Sequence, residues 1–459
     1  MRRAMDRARM RGILPPLTIV VLVGIYAVVL HGVYAGQVSP AFDYLGYRYR
    51  DPGAGPLILS TAIAAGTALT LPRRLATASS VVLWVLFTVT VAPTVLMSTY
   101  TSYLDPARGL ALAALVGMVF SIVALGQNPA PRPLGFRLRS PVVWTLVGLF
   151  AAATFVLLGV VQGLSFELVG ILDVYDVRAD FAEKLESVGI LSYLVATQAN
   201  VVNPWIAARG VLERRWWLVG VAIIAQLVLY STTGYKHVLF AIAAWLVMLI
   251  VLQPRKERTP GSILLAGATA MVVVAAVVDQ LLSTNLATSL FSRRFILTPG
   301  MLSTAYVRFF SDNPQAHLGY SVLRPFVDYP YDETPPYLVG AMITNGKVIA
   351  SNANLFADGF ANFGWLGVAG AGAVLLVYLR LVDRASVGLP ILMSAIVLII
   401  PAVALSNASV LTSMLSHGLV VAFGLLALTP RPHVGALGID LAYLRSPRRR
   451  QSPVFRVRS

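Results

Sequence analysis

The chain has no cysteine, which excludes disulfides and thiolate metal sites and leaves no thiol to report on redox compartment. Charge is scarce as well. Asp, Glu, Lys and Arg make up 12% of residues, about half of the roughly 25% usual in water-soluble globular chains. No His/Asp/Glu cluster has the spacing of metal ligands. There is neither a Gly-rich phosphate loop nor a nucleophile elbow, which argues against a nucleotide-sugar or ATP enzyme. Internal repeats and inverted pairs of interrupted helices are also missing, which weakens a secondary-transporter reading.

What is present in quantity is apolar sequence. The chain is 57% hydrophobic with a mean hydropathy of +0.75, and several runs reach the roughly 17–25 residues that cross hydrocarbon. The expected fold is an all-α polytopic membrane protein with about twelve transmembrane helices. The spans fall roughly at 14–35, 56–72, 76–97, 110–126, 141–163, 187–207, 216–232, 236–253, 262–282, 355–379, 386–405 and 411–429. Residues 1–282 would hold spans one to nine, with an amphipathic helix lying on the outer interface near 165–188. Residues 283–354 would form a large extracytoplasmic loop, 355–430 the last three spans, and 431–459 a basic cytoplasmic tail. The basic start followed by an apolar run is read as a retained anchor, because no small-residue cleavage site follows it.

The net charge of +16 is distributed by side. This topology puts 25 Lys and Arg with 5 Asp and Glu on one face, against 11 and 15 on the other. That asymmetry is the positive-inside pattern, and it orients both termini to the cytoplasm. Arg2 to Arg11 and Arg448 to Arg458 then read as tails against anionic lipid, not as a nucleic-acid surface.

The chemistry-bearing residues gather in and around 283–354. A segment of that length without structure of its own is usually functional or disordered, and aromatics and ions at this density argue against disorder. It carries Arg293-Arg294, Tyr306, Arg308, His317, Arg324 and Asp328, then Tyr329-Pro330-Tyr331-Asp332-Glu333-Thr334-Pro335-Pro336. It closes on Asn352-Ala353-Asn354, ahead of Asp358 and Asn362-Phe363-Gly364. Paired arginines on the outer side have no topogenic role. They either salt-bridge to the acidic outer helix or hold phosphate oxygens bidentately. Lys236, after the break at Ser231 to Gly234, either snorkels to the interface or points into a cavity to hold an anion. Asp279, near the outer end of span nine, is an intramembrane carboxylate with either a pairing or a catalytic role. Asn354, Asp358 and Asn362 are spaced to share one helical face if the helix starts early enough. Asp358 is either favoured there by the helix dipole or acts in chemistry.

These elements resemble the bacterial O-antigen polymerase and oligosaccharide repeat-unit polymerase superfamily, GT-C-like enzymes of many spans. The similarity rests on Gly234-x-Lys236, on Arg293-Arg294 opening the large loop, and on Asn352-x-Asn354, Asp358 and Asn362-x-Gly364 at the return to the membrane. It covers about the last half of the chain. The resemblance implies a metal- and cofactor-independent glycosyltransferase of the bacterial inner membrane. Such enzymes transfer glycan from a polyprenyl-pyrophosphate carrier to a sugar hydroxyl on the outer side. Lys236, Arg293 and Arg294 would hold the pyrophosphate. Tyr306, Arg308, Arg324, Asn352, Asn354 and Asn362 would complete substrate binding. Asp358 would engage the acceptor, with His317 and Asp328 as the other candidate bases. Partners would be the lipid-linked donor, the glycan acceptor, membrane lipids and other envelope-glycan proteins, with no nucleic acid. Two other readings stay open: a polyprenyl-monophosphate-sugar transferase using Asp43 or Asp51, and a lipid-linked glycan flippase or transporter.

Overall fold

A computed structural model describes residues 16–431 except 168–169, 171–176, 179–180, 182–187, 253–258 and 322. Most of the expected interfacial helix near 165–188 and nearly all of the basic tail therefore lie outside the described residues. Among those described, the fold is helical. Extended backbone pairs only at two isolated bridges, Tyr49 with Thr101 and Arg74 with Pro260.

A helix stands at each of the twelve stretches expected to span. The first nine are α1 (Pro16–Leu45), α2 (Ala54–Thr70), α3 (Ala78–Met97), α4 (Pro106–Leu125), α5 (Ser140–Val161), α6 (189–212), α7 (Trp216–Thr233), α8 (Lys236–Val251) and α9 (Ser262–Leu282). Next come α10 (288–312) and α11 (Pro335–Ile343). The chain ends with α12 (Leu355–Ser386), α13 (Ile391–Ala404), α14 (Val410–Ser416) and α15 (Leu419–Leu428).

Seven of these are long and apolar enough to cross a membrane: α1, α3, α4, α5, α7, α9 and α12. The count becomes eight if α14 and α15, bent by 60°, form one broken span. Twelve is more than length and hydropathy support, and the physical reasons differ by helix. At about 1.5 Å per residue, α8 and α13, with 16 and 14 residues, fall short of a hydrocarbon core of about 30 Å, and α2, with 17, is at the lower limit. α6 is diluted by Gln198, Asn200 and Asn203.

α3 sits at the centre of the bundle, whereas α5 lies at its rim. Large apolar side chains point outward around the periphery, among them Val28, Leu149, Val160, Ile224, Leu281 and Leu366. An apolar outer surface of this extent is unfavourable in water and fits a multi-pass membrane protein. Helix starts are set by ordinary capping. Thr77 forms a capping box with Ser80, and Asp105 accepts from the Ala107 and Arg108 amides ahead of Pro106 at the first turn of α4.

Two internal features break the regular helical pattern. Wide π turns occur at Tyr34–Val38 in α1, Phe87–Val91 in α3 and Thr288–Leu297 in α10, and the third packs against each of the other two. A fourth lies at Gln198–Val202 in α6. Beside it runs a buried chain of amides. Gln198 Nε2 donates to Asn203 Oδ1 at 2.7 Å, and Asn203 Nδ2 to Gln226 Oε1 at 2.8 Å. Gln226 Nε2 then donates to the Val238 carbonyl at 2.9 Å, so one network ties α6, α7 and α8.

The stretch 283–354 is not one irregular loop. It holds α10 and α11, and α10 is packed against α3 and α12 with Met301, Leu302, Tyr306 and Phe310 buried. Asp279 explains how α10 begins. Its carboxylate accepts from the Ala287 amide at 3.0 Å, the Thr288 amide at 2.6 Å and Thr284 Oγ1 at 2.7 Å. Both oxygens are thus used to cap a helix start, where negative charge is favoured.

Candidate functional site

The N-terminal part of α12 is built around a break. Phe363 and Gly364 leave helical geometry, with Gly364 at φ +58°, ψ −142°. That is a conformation that glycine reaches without a steric penalty. The short arm 355–362 folds back against the rest of α12, bringing the Gly359 and Gly367 backbones into direct contact. The arm begins at Asn354, whose Oδ1 accepts from the Phe356 and Ala357 amides at 2.9 and 3.1 Å.

This geometry divides the expected polar stripe. Asn354 is the helix cap, and its Nδ2 donates away from the arm, to the Pro299 carbonyl at 2.9 Å and Ser303 Oγ at 2.6 Å on α10. Asp358 and Asn362 are on the helix proper and act together. Tyr320 donates its hydroxyl to Asp358 Oδ1 at 2.5 Å. Asn362 Nδ2 reaches the Tyr320 hydroxyl at 3.0 Å, the Asp358 carbonyl at 2.9 Å and Asp358 Oδ2 at 3.3 Å. Asn362 Oδ1 accepts from the Leu318 amide at 2.7 Å, which pins the 313–334 loop over the arm. Gln315 adds a second tie through the Gly364 amide at 2.9 Å.

Asp358 is half-buried, and among the described residues it has no cationic partner. Its neighbours are a phenol and an amide. Burial, with the Asp358 carboxylate beside it, pushes the Tyr320 phenol well above its ordinary range, so it remains a donor at working pH. Tyr329 stacks near Tyr320 and Tyr331 and is likewise pushed up by burial, to about 12. The result is a carboxylate beside a patch of three tyrosine rings, with a polar edge and apolar faces of the kind that accommodate sugar rings.

The remaining expected site residues scatter around this centre. His317 is exposed, with its ring 5.7 Å from that of Phe363, at the rim of the Asp358–Asn362 group. Arg324, Asp328 and Asn352 are exposed. Arg308 is exposed and pairs with Asp312 at 3.1 Å, one turn along α10. Tyr306 is fully buried, and its hydroxyl is committed to the Ser351 carbonyl at 2.8 Å, which gives it an anchoring role and not a surface for ligand.

Arg293 and Arg294 do not act as one fork. Arg293 is 8% exposed and packs against the rings of Phe42 and Tyr47, which touch each other edge-on, its guanidinium carbon 4.4 and 5.5 Å from their centroids. Arg294 is exposed on another side of the same turn. Phe291 and Phe295, flanking the pair in sequence, meet Phe240 of α8. Phe240 is one turn from Lys236, so the start of α8 and the exposed arginine share a neighbourhood. Arg293 in turn connects to the arm through successive contacts. Thr298 Oγ1 donates to the Arg293 carbonyl at 2.7 Å, and Asn354 bonds the adjacent Pro299. At the end of α1 and in the turn after it, Asp43 pairs loosely with Arg48 at 3.8 Å and Asp51 accepts from the Gly53 amide.

Sequence reasoning missed Tyr320, Gln315 and the Phe42–Tyr47 pair. Their only signal was aromatic density and closeness to His317. The capping role of Asn354 was missed as well. Asn354→Ala is expected to lower thermal stability by about 1–2 kcal/mol for the lost cap alone, with Asn354→Asp recovering the cap but not the bonds to α10. Thermal unfolding of the two variants checks this; equal stability of wild type and Asn354→Ala would contradict it.

No family model matches this chain, and no curated protein or solved structure matches it.

Proposed function

We propose that this protein is a membrane glycosyltransferase of the polysaccharide-polymerase type. It would move glycan from a polyprenyl-(pyro)phosphate-linked donor to a sugar acceptor on the extracytoplasmic side, in the bacterial inner membrane. The observation that carries this reading is Asp358, an unpaired carboxylate at the head of an apolar helix, oriented by Tyr320 and Asn362. In this scheme the acceptor hydroxyl forms the new bond to the anomeric carbon and gives its proton to the carboxylate. The bond from that carbon to the phosphate oxygen breaks, and the (pyro)phosphate leaves with the electron pair. Fixed cations in a partly dry site stabilise the charge that develops on it. Arg294 and Lys236 are cations on the α8 side of this end of the bundle, where Arg178 also lies over the Tyr235 ring, and the tyrosine patch supplies the sugar platform. The resemblance to the O-antigen polymerase superfamily supports the same reading. The hydropathy and charge pattern add about twelve spans and cytoplasmic termini to this proposal, with other envelope-glycan proteins as partners.

The two arginines separate support from chemistry. Arg294→Ala is expected to reduce glycan product at least tenfold with unchanged thermal stability, since an exposed side chain adds little packing. Lysine should restore it poorly, because an ammonium lacks the planar fork. Arg293→Ala should reduce both product and stability, since a desolvated cation–π contact contributes about 2 kcal/mol. The assay is lengthening of a lipid-linked oligosaccharide by purified protein. Full synthesis by both alanine variants would move the phosphate site elsewhere.

A lipid-linked glycan flippase is the second reading, and the buried amide network of α6–α8 favours it, because polar groups deep among spans often mark a path. Translocation without lengthening in the same preparation would select it.

A further inference from the structure

The loop that carries Tyr320 has a tip whose composition does not suit water. Leu323, Arg324, Pro325 and Phe326 are all exposed, and Phe326 is 84% so. A phenylalanine that open leaves most of its apolar surface without the burial that ordinarily favours it. The next turn repeats the pattern, with Val348 81% exposed and beside Lys347. Neither 321–327 nor 344–351 contains an acidic residue. Arg324 and Lys347 stand two residues and one residue before Phe326 and Val348, and the nearest acidic residue, Asp328, lies beyond Val327. Apolar side chains beside cations suit an interface where rings sit among acyl chains and cations meet phosphates.

The position of the loop agrees with its composition. Its base is fixed to the N-terminal part of α12 by Ala316 N to the Ala361 carbonyl at 2.8 Å, by Leu318 N to Asn362, and by Tyr320 to Asp358. At that level α12 itself turns Phe363 and Leu366 outward, the latter 82% exposed. The tip thus continues the apolar belt of a helix suited to span the membrane.

We propose that the Leu323–Phe326 tip inserts into the lipid–water interface on its side of the membrane, with Arg324 at the phosphates, and so holds Tyr320 against Asp358. The inference depends on membrane insertion alone, not on the reaction assigned above. A chain without cysteine allows a direct test. Phe326→Cys and Asp332→Cys, both at exposed positions, are spin-labelled in bilayers of phosphatidylcholine and phosphatidylglycerol. Collision rates are then measured with oxygen, which concentrates in lipid, and with a water-soluble nickel chelate. The expected result is several-fold higher oxygen-to-nickel accessibility at 326 than at 332. Equal accessibility at the two positions would overturn the proposal, whatever the outcome of the glycan assay.

Discussion

Asp358→Asn is expected to reduce glycan transfer by about 10²-fold or more while the protein stays folded. Asparagine keeps the volume, and it accepts from Tyr320 at one oxygen, but it cannot take a proton from an acceptor hydroxyl. Tyr320→Phe is the companion variant. It removes the donor that orients Asp358 Oδ1 and leaves the base in place, so its loss should be smaller than that of Asp358→Asn. The pair is read in the lipid-linked oligosaccharide assay alongside thermal unfolding. If Asp358→Asn is active yet less stable, the carboxylate serves the fold. His317, at the rim of the same group, then becomes the candidate base.

Gly367→Ala should be the most damaging change on α12. A β-carbon there would lie 1.8 Å from the Gly359 carbonyl oxygen, a backbone atom with no room to move. Gly359→Ala is nearly as severe, at 2.4 Å from the Gly367 oxygen. Either methyl must push the arm 355–362 away from the rest of α12, at about 1–3 kcal/mol for overpacking. That movement would carry Asp358 and Asn362 away from Tyr320, so activity and thermal stability should fall together. Gly370→Ala is the control. It meets nothing within 4 Å, and a change within about 0.5 kcal/mol is expected. Wild-type activity in Gly367→Ala would show that the folded-back arm is not needed.

The helices were legible because hydropathy alone marks them, and each expected stretch carries one. Their status as spans was less so. A 19-residue window scores α13 as readily as α9, although α13 has only 14 helical residues. α10 escaped notice for a related reason. Its apolar residues, Tyr306 and Phe310 among them, are buried by neighbouring helices, and Thr298, Arg308 and Asp312 interrupt any long apolar run. The adjacency of Asp358 and Asn362 was legible in their spacing, since a turn of helix separates them. Tyr320 was not, because a contact across 38 residues depends on how the loop folds. The capping role of Asn354 was not legible, because the position of a helix start decides whether an amide is a cap or part of a face. Arg293 and Arg294 illustrate the same limit. Adjacent residues on a helix point apart, and sequence cannot say which one is covered.

The amide chain of α6 also bears on the order of assembly. A lone helix over 189–212 would bring Gln198, Asn200 and Asn203 into hydrocarbon, where each unsatisfied polar group costs several kcal/mol. The donor of Asn203 is satisfied only by Gln226, on the following helix. A turn of three residues, 213–215, joins the two helices. A membrane-embedded α6 would therefore lack a favourable route into the bilayer by itself and would enter paired with α7 as a hairpin.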